Sequence, residues 1–321
     1  MLPFRRQLEE RSLSKEAQAI IMSAWRKSTT TQYDGYIRKW TCYATERGVS
    51  PVSPALNDVI EFLTTLFHAG LGYSSLNTAR SALSTYICCE GVSIGAHPFI
   101  KKFMKGVFQL RPALPRNTVT WDTDIVINFL RTLSPVRRLD FKKLTFKFVT
   151  LLALLSGQRC QTLHAIKLEN IILTENMVKI KIDTLLKQSR PGHHLDELRF
   201  KGYAPDRRIC IVTVLKEYLQ RTRTVRNSDQ LFISYASPHG AVSKDTISRW
   251  VKTTLFLSGI DTNLFKAHST RAASTSKAKF KNVPLSSIMQ TAGWSGTSTF
   301  ARYYDKKCED FKFANAIQQG D

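Results

Sequence analysis

A proline-bearing break at residues 111–120 constrains this chain of 321 residues more than any other feature. In the segment LRPALPRNTVTW, Pro112 and Pro115 lack amide hydrogens, and each steers the residue before it away from helix. The stretches on either side are each of domain length, at roughly 100–200 residues. Before the break, Tyr33, Tyr36, Ile37, Trp40 and Tyr43 recur at helical spacing. Leu56, Val59, Ile60, Leu63 and Phe67 form a second stripe, and Leu76, Ala79, Leu83, Tyr86 and Ile87 a third. With the basic segment FIKKFMKGVFQL after His97-Pro98, this predicts a helical domain of four or five helices over residues 1–110.

Beyond the break the pattern is mixed. Phe146 to Leu155 is apolar enough for a buried helix, ended at Ser156-Gly157. Then IIL, the turn Thr174-Glu175-Asn176 and MVKIKID read as a hairpin, because Val178, Ile180 and Ile182 alternate with Lys179 and Lys181. RRICIV reads as another short strand, leading into a helix at about 212–222. Helices are predicted at 243–257, 268–280 and 284–292, and one more beginning near Thr297 or Ser298, whose hydroxyls suit an N-cap. The fold class is therefore mainly α: an N-terminal helical domain, a linker at 111–120, and a mixed α+β domain over 121–321 with a small antiparallel sheet.

Charge narrows the function. Lys and Arg number 47 against 25 Asp and Glu, a formal net charge of +22. Residues 1–112 carry 14 basic and 8 acidic side chains, and the remainder 33 and 17, so both parts are positive. Such a surface seeks a polyanion, most often nucleic acid, although ribosomal and membrane-surface proteins share this character. The six cysteines, Cys42, Cys88, Cys89, Cys160, Cys210 and Cys308, show no zinc-site spacing and read as reduced thiols, with Cys88 and Cys89 on a helix. The N-terminus has no apolar signal region, and the longest apolar run is too short to span a bilayer. An intracellular protein is expected, nuclear if the host is eukaryotic.

Four places in the second part carry reactive side chains: SGQRC around Arg159, LLKQSR around Lys187, HSTR at 268–271, and GWSGTSTFARYYDK at 293–306. Each has an ordinary reading. Arg159 suits an internal ion pair, His268 and Arg271 share a helix face in many basic proteins, and a tyrosine near a C-terminal helix is usually core. Their order and spacing are less ordinary. Arg159 follows a helix-ending Ser-Gly, Lys187 lies 28 residues on, and Tyr303 stands nine residues after Trp294.

In that order and spacing the chain resembles the tyrosine recombinases, the superfamily of phage integrases, Xer proteins and Cre. Arg159 matches the family's first arginine and Lys187 its hairpin lysine. His268-Ser-Thr-Arg271 matches the His-x-x-Arg box, Gly293-Trp294 the Gly-His/Trp position, and Tyr303 the nucleophile. The wider style, SGQRCQTL with Trp in place of His, is similar to recombinases of eukaryotic mobile elements such as the DIRS and Ngaro retroelements and Cryptons. One position departs: the family often carries Asp or Glu three residues after the first arginine, supporting it, and here Thr162 stands there.

The resemblance implies a core-binding domain, a linker and a catalytic domain that breaks and rejoins double-stranded DNA through a 3′-phosphotyrosine, without metal or ATP. Arg159 and Arg271 would fork onto the phosphate, Lys187 would protonate the leaving 5′ oxygen, and His268 would bond the phosphate or take the tyrosine proton. Trp294, a donor only through its indole N–H, would orient the phosphate. Four protomers would act on two duplexes, with the tail EDFKFANAIQ docking on a neighbour. Several alternatives stay open. Tyr304 adjoins Tyr303 and reads as packing, His164 and the loop pair His193-His194 compete with His268, and Lys179 or Lys181 with Lys187. Type IB topoisomerase activity, or a DNA-binding protein with a dead site, are the rival functions.

Overall fold

The computed structural model describes residues 1–112 and 119–308, so most of the predicted linker and the tail after residue 308 lie outside the described residues. The chain divides into two compact units, residues 1–116 and 117–321.

The first unit is helical. It runs through α1 (Leu2–Glu10), α2 (Lys15–Met22), α3 (Lys27–Glu46), α4 (Leu56–His68), α5 (Tyr73–Leu83), a hairpin of β1 (Cys88–Cys89) and β2 (Val92–Ser93), and α6 (Pro98–Leu110). The three predicted stripes converge on a core of Trp40, Phe62, Leu63, Leu76, Leu83, Ile87 and Ile100. Trp40 donates its indole N–H to the Pro51 carbonyl at 2.9 Å, which satisfies its one polar atom inside that core. Local chemistry sets the helix ends: Ser14 accepts from the Ala17 amide, and Asp58 accepts from the Ala55 amide. The Arg111 guanidinium donates to the Phe67 and Leu71 carbonyls where α4 runs out. Two expectations are corrected. Six helices stand where four or five were predicted, because α1 and α2 lack a long apolar stripe. Cys88 and Cys89 lie on a strand, because Glu90 and Gly91 both take positive φ (52° and 77°) and turn the chain back into a hairpin.

The second unit is built around one buried helix. After β3 (Val119–Thr120) and α7 (Thr123–Thr132) comes α8 (Phe141–Ser156), then α9 (Cys160–His164). A sheet follows: β4 (Ile171–Leu173), β5 (Met177–Ile180) and β6 (Leu198–Lys201). The remaining elements are α10 (Ile211–Thr222), α11 (Lys244–Leu257), α12 (Ser269–Phe280), α13 (Leu285–Ala292), α14 (Thr297–Tyr303) and β7 (Lys307–Cys308).

The apolar α8 is covered by α7, α9, α10, α11 and α12. Its one internal cation, Lys147, is fully buried and caps the end of α7, donating to the Leu130 and Leu133 carbonyls at 2.8 and 2.6 Å. The sheet is antiparallel in the order β4-β5-β6, with Ile171 opposite Ile180 and Val178 opposite Phe200. Val178 and Ile180 are buried while Lys179 faces the other way, as the alternation required. β3 pairs in parallel with β7.

RRICIV is not a strand. The Asp206 carboxylate accepts from the Arg208 amide at 3.0 Å, closing a 3-10 turn at Arg207–Ile209, and the apolar residues after it become the buried face of α10. α14 begins at Thr297, as expected, but its N-cap is Gly296 rather than a hydroxyl-bearing residue. No helix among the described residues is long and apolar enough to cross a membrane.

Candidate active site

Arg271 is the structural centre of a cationic cluster in the second unit. It sits on the first turn of α12 and is 0% exposed. Among the described residues no carboxylate pairs with it. Instead it donates Nη1 to the Gly157 carbonyl at 2.6 Å and Nη2 to the Ala292 carbonyl at 2.7 Å. These carbonyls belong to the C-cap of α8 and the last residue of α13, each followed or formed by a left-handed glycine (Gly157 φ 59°, Gly293 φ 69°). Two helix C-termini, each the negative end of a macrodipole, thus hold a buried cation without neutralising it. Its face is covered by Trp294, with the guanidinium carbon 4.2 Å from the ring centroid, and by Tyr304 at 5.3 Å. Burial and then the Arg159 charge push its pKa down to about 9, with Tyr304 acting the other way, so it stays charged at neutral pH.

Arg159 is the N-cap residue of α9, presented by the sharp exit from α8 at Gly157. Its Nη1 donates to Gln188 Oε1 at 2.9 Å. Gln188 belongs to the turn Leu186–Ser189 in the long β5–β6 connection, so Lys187 is exposed at the tip of a turn whose neighbour is tied to Arg159. Thr162 is buried within α9. The acceptor that Arg159 meets is thus a neutral amide on another element.

His268 stands at the N-cap of α12, and its Nε2 lies 3.1 Å from the phenol oxygen of Tyr304. Burial of the ring and then the cations Arg159, Arg271, Lys187 and Lys306 push its pKa down to about 4. A neutral imidazole facing a phenol is a proton acceptor in waiting.

The two tyrosines are placed differently. Tyr304 is 7% exposed, packed on Trp294 with ring centroids 4.6 Å apart, while Tyr303 is 56% exposed at the end of α14. The residue read as packing therefore meets His268 and Arg271, and the residue at the nine-residue spacing faces outward. The segment that carries them is fastened to α12: Ser276 Oγ donates to the Tyr304 carbonyl at 2.6 Å and accepts from the Lys306 amide at 3.1 Å. From the other side, Trp121 Nε1 donates to Ser269 Oγ at 2.8 Å, and Lys277 pairs with Asp122 and Asp124.

Three buried N–H groups of this cluster have no protein acceptor among the described residues: Arg271 Nε, Trp294 Nε1 and Gln188 Nε2. Arg159 and Arg271, without carboxylate partners among the described residues, and the unsatisfied Arg271 Nε and Trp294 Nε1 are groups that an anionic oxygen would satisfy. Gly293 suits this corner because its φ of 69° is left-handed, and an added Cβ would also have to displace the side-chain ends of Leu195 and Gln188, 2.7 and 3.1 Å away.

The other candidates fall elsewhere. His164 lies beside Gln230 in a separate surface hollow with Gln161 and Lys167. His194 is exposed and His193 bridges to Arg190 within the same loop. Lys179 lies on β5, and Lys181 is exposed just beyond it. Sequence reasoning missed Gln158, whose Nε2 donates to the Thr291 carbonyl at 2.6 Å and joins the α8–α9 corner to α13. It also missed Gln188. A buried amide contact between distant segments leaves no periodic signal.

Among known proteins, the phage integrase family matches residues 128–309. No curated protein sequence matches the chain. Three solved structures share its fold at low identity. The Tn1549 transposon integrase in complex with transposon right end DNA has a TM-score of 0.60 and 12% identity, over 99% of this chain and 98% of that one. The XerH site-specific recombinase bound to its difH substrate has a TM-score of 0.58 and 16% identity, over 83% and 73%. A lambda integrase dimer bound to a core site has a TM-score of 0.52 and 17% identity, over 91% and 76%.

Proposed function

The chain belongs to the phage integrase family, and on that premise we propose that it is a site-specific recombinase that breaks and rejoins double-stranded DNA through a 3′-phosphotyrosine. One observation carries the reading: two guanidiniums, Arg159 and Arg271, stand without carboxylate partners among the described residues, beside a neutral histidine bonded to a phenol. Their charges match the non-bridging oxygens of a phosphodiester, on which negative charge grows during attack. His268 accepts the phenol proton as the oxygen attacks phosphorus, and the 5′ oxygen leaves with a proton from Lys187. Trp294 Nε1 and Arg271 Nε hold the phosphate. The ester energy is kept in the tyrosine linkage, so rejoining needs no ATP, and the guanidiniums supply the charge stabilisation that metal ions supply elsewhere.

We take Tyr304 as the nucleophile this geometry supports. Tyr303 is the second reading, favoured by its nine-residue distance from Trp294 and its exposure. A pool of nicked duplexes with randomised cores, which trap the covalent adduct by losing the short 5′ strand, tests both. Tyr304→Phe is expected to bind DNA and form no adduct. Adduct lost in Tyr303→Phe and kept in Tyr304→Phe gives the role to Tyr303. Adduct kept in both variants sinks the phosphotyrosine reading, and adduct absent from the wild type favours a DNA-binding protein with a dead site. Exchange between two duplexes requires four cleavages, hence a tetramer, whereas a type IB topoisomerase relaxes supercoils as a monomer. Deleting residues 309–321 should abolish synapsis if that segment docks on a neighbour.

A further inference from the structure

We infer that Gln188 is a positioning residue for the proposed cleavage, holding Arg159 in the place where the family often uses an acidic residue three positions after the arginine. The inference rests on the phosphotyrosine reading above. Arg159 donates to Gln188 Oε1 at 2.9 Å, and no ion pair to Arg159 occurs among the described residues. The orientation of the amide is fixed by chemistry: a guanidinium has no acceptor, so the atom facing it must be the oxygen. Nε2 then points the other way, buried and without a protein acceptor, against the Gly293 corner.

The turn that carries Gln188 is itself anchored. Leu186 is buried, its amide donates to Ser189 Oγ at 3.0 Å, and the Ser189 amide donates to the Leu186 carbonyl at 2.9 Å. Lys187 lies between these anchors. A neutral acceptor differs from a carboxylate in one respect that matters here. It fixes the guanidinium plane without cancelling its charge, so the full cation remains for the phosphate. The same contact ties the Lys187 turn to Arg159.

The test is a double-mutant cycle on the rate of adduct formation at saturating protein, with the nicked randomised-core pool as the probe. Gln188→Met keeps the side-chain length and removes the acceptor. It is expected to stay folded and, at saturating protein, to cleave between about tenfold and a hundredfold more slowly, the loss usual for a misaligned group. In the Arg159→Lys background the same change is expected to cost nothing further, because the group it aligns is gone. Wild-type cleavage by Gln188→Met overturns the proposal, and so does a loss that multiplies with that of Arg159→Lys. Failure of the wild type to form any adduct overturns the underlying reading instead, so the two failures are distinct.

Discussion

Arg271 and His268 are three residues apart on one helix turn and solve opposite electrostatic problems. Arg271 is a buried cation tolerated because two helix C-termini face it. Since no carboxylate among the described residues neutralises it or Arg159, a small anion should bind between them and stabilise the fold by mass action. Sulfate should therefore raise the melting temperature above chloride at matched ionic strength, and Arg159→Ala should lose that difference; an unchanged difference would remove the anion site. His268 is depressed to about 4 by burial and its cationic neighbours. Its folded pKa lies below the usual histidine value of about 6.5. In that interval the unfolded chain binds a proton that the folded chain does not. The contribution to stability is then fully present above about pH 6.5 and is lost as pH falls toward about 4. An NMR titration of the free protein should place the His268 inflection well below that of an exposed histidine. Bound phosphate, adding negative charge, should move it up. An inflection near the ordinary value in the free protein would contradict the cationic setting described here.

At the scale of elements, the tyrosine segment is tied to α12 through Ser276. Ser276 satisfies both the Tyr304 carbonyl and the Lys306 amide, bridging α12 to the residues after α14. Ser276→Ala should cost about 1 kcal/mol of stability, the usual net worth of such a bond, and hydrogen exchange should quicken selectively at residues 303–306. Uniform quickening across the second unit would mean that Ser276 serves the fold in general. Gly157 ends α8 in the left-handed region and would bring an added Cβ to 3.4 Å from the Thr275 methyl. Gly157→Ala should lower stability by about 1 kcal/mol, measured by urea unfolding, and slow cleavage by shifting the carbonyl that holds Arg271. Elements with a strong apolar signal, such as the continuous run of α8 and the alternating β4–β5 hairpin, were legible in the sequence. RRICIV was not, because one local bond from Asp206 outweighed its strand-like composition, and the short hairpin at Cys88–Ser93 was signalled only by Glu90-Gly91.

At the scale of the molecule, each unit has its own apolar core, one centred on Trp40 and Leu83 and the other on α8. Fragments 1–116 and 117–321 should each fold cooperatively, with circular dichroism spectra that sum to that of the whole chain. A fragment that stays unfolded would show that its core is insufficient alone. With a net charge of +22 spread over both parts, DNA affinity should fall steeply with salt. By itself the sequence determined the fold class and the family resemblance, since these depend on periodicity, charge and the order of a few residues along the chain. It also nominated Arg159, Lys187, His268, Arg271, Trp294 and Tyr303 as a set. Only the tertiary structure decided which phenol meets His268 and that Gln188 accepts from Arg159 where Thr162 stands in the family's acidic position. Adjacent residues on a helix point in different directions, and a single hydrogen bond between distant segments has no spacing to read. Contacts of that kind exist only once the chain has folded.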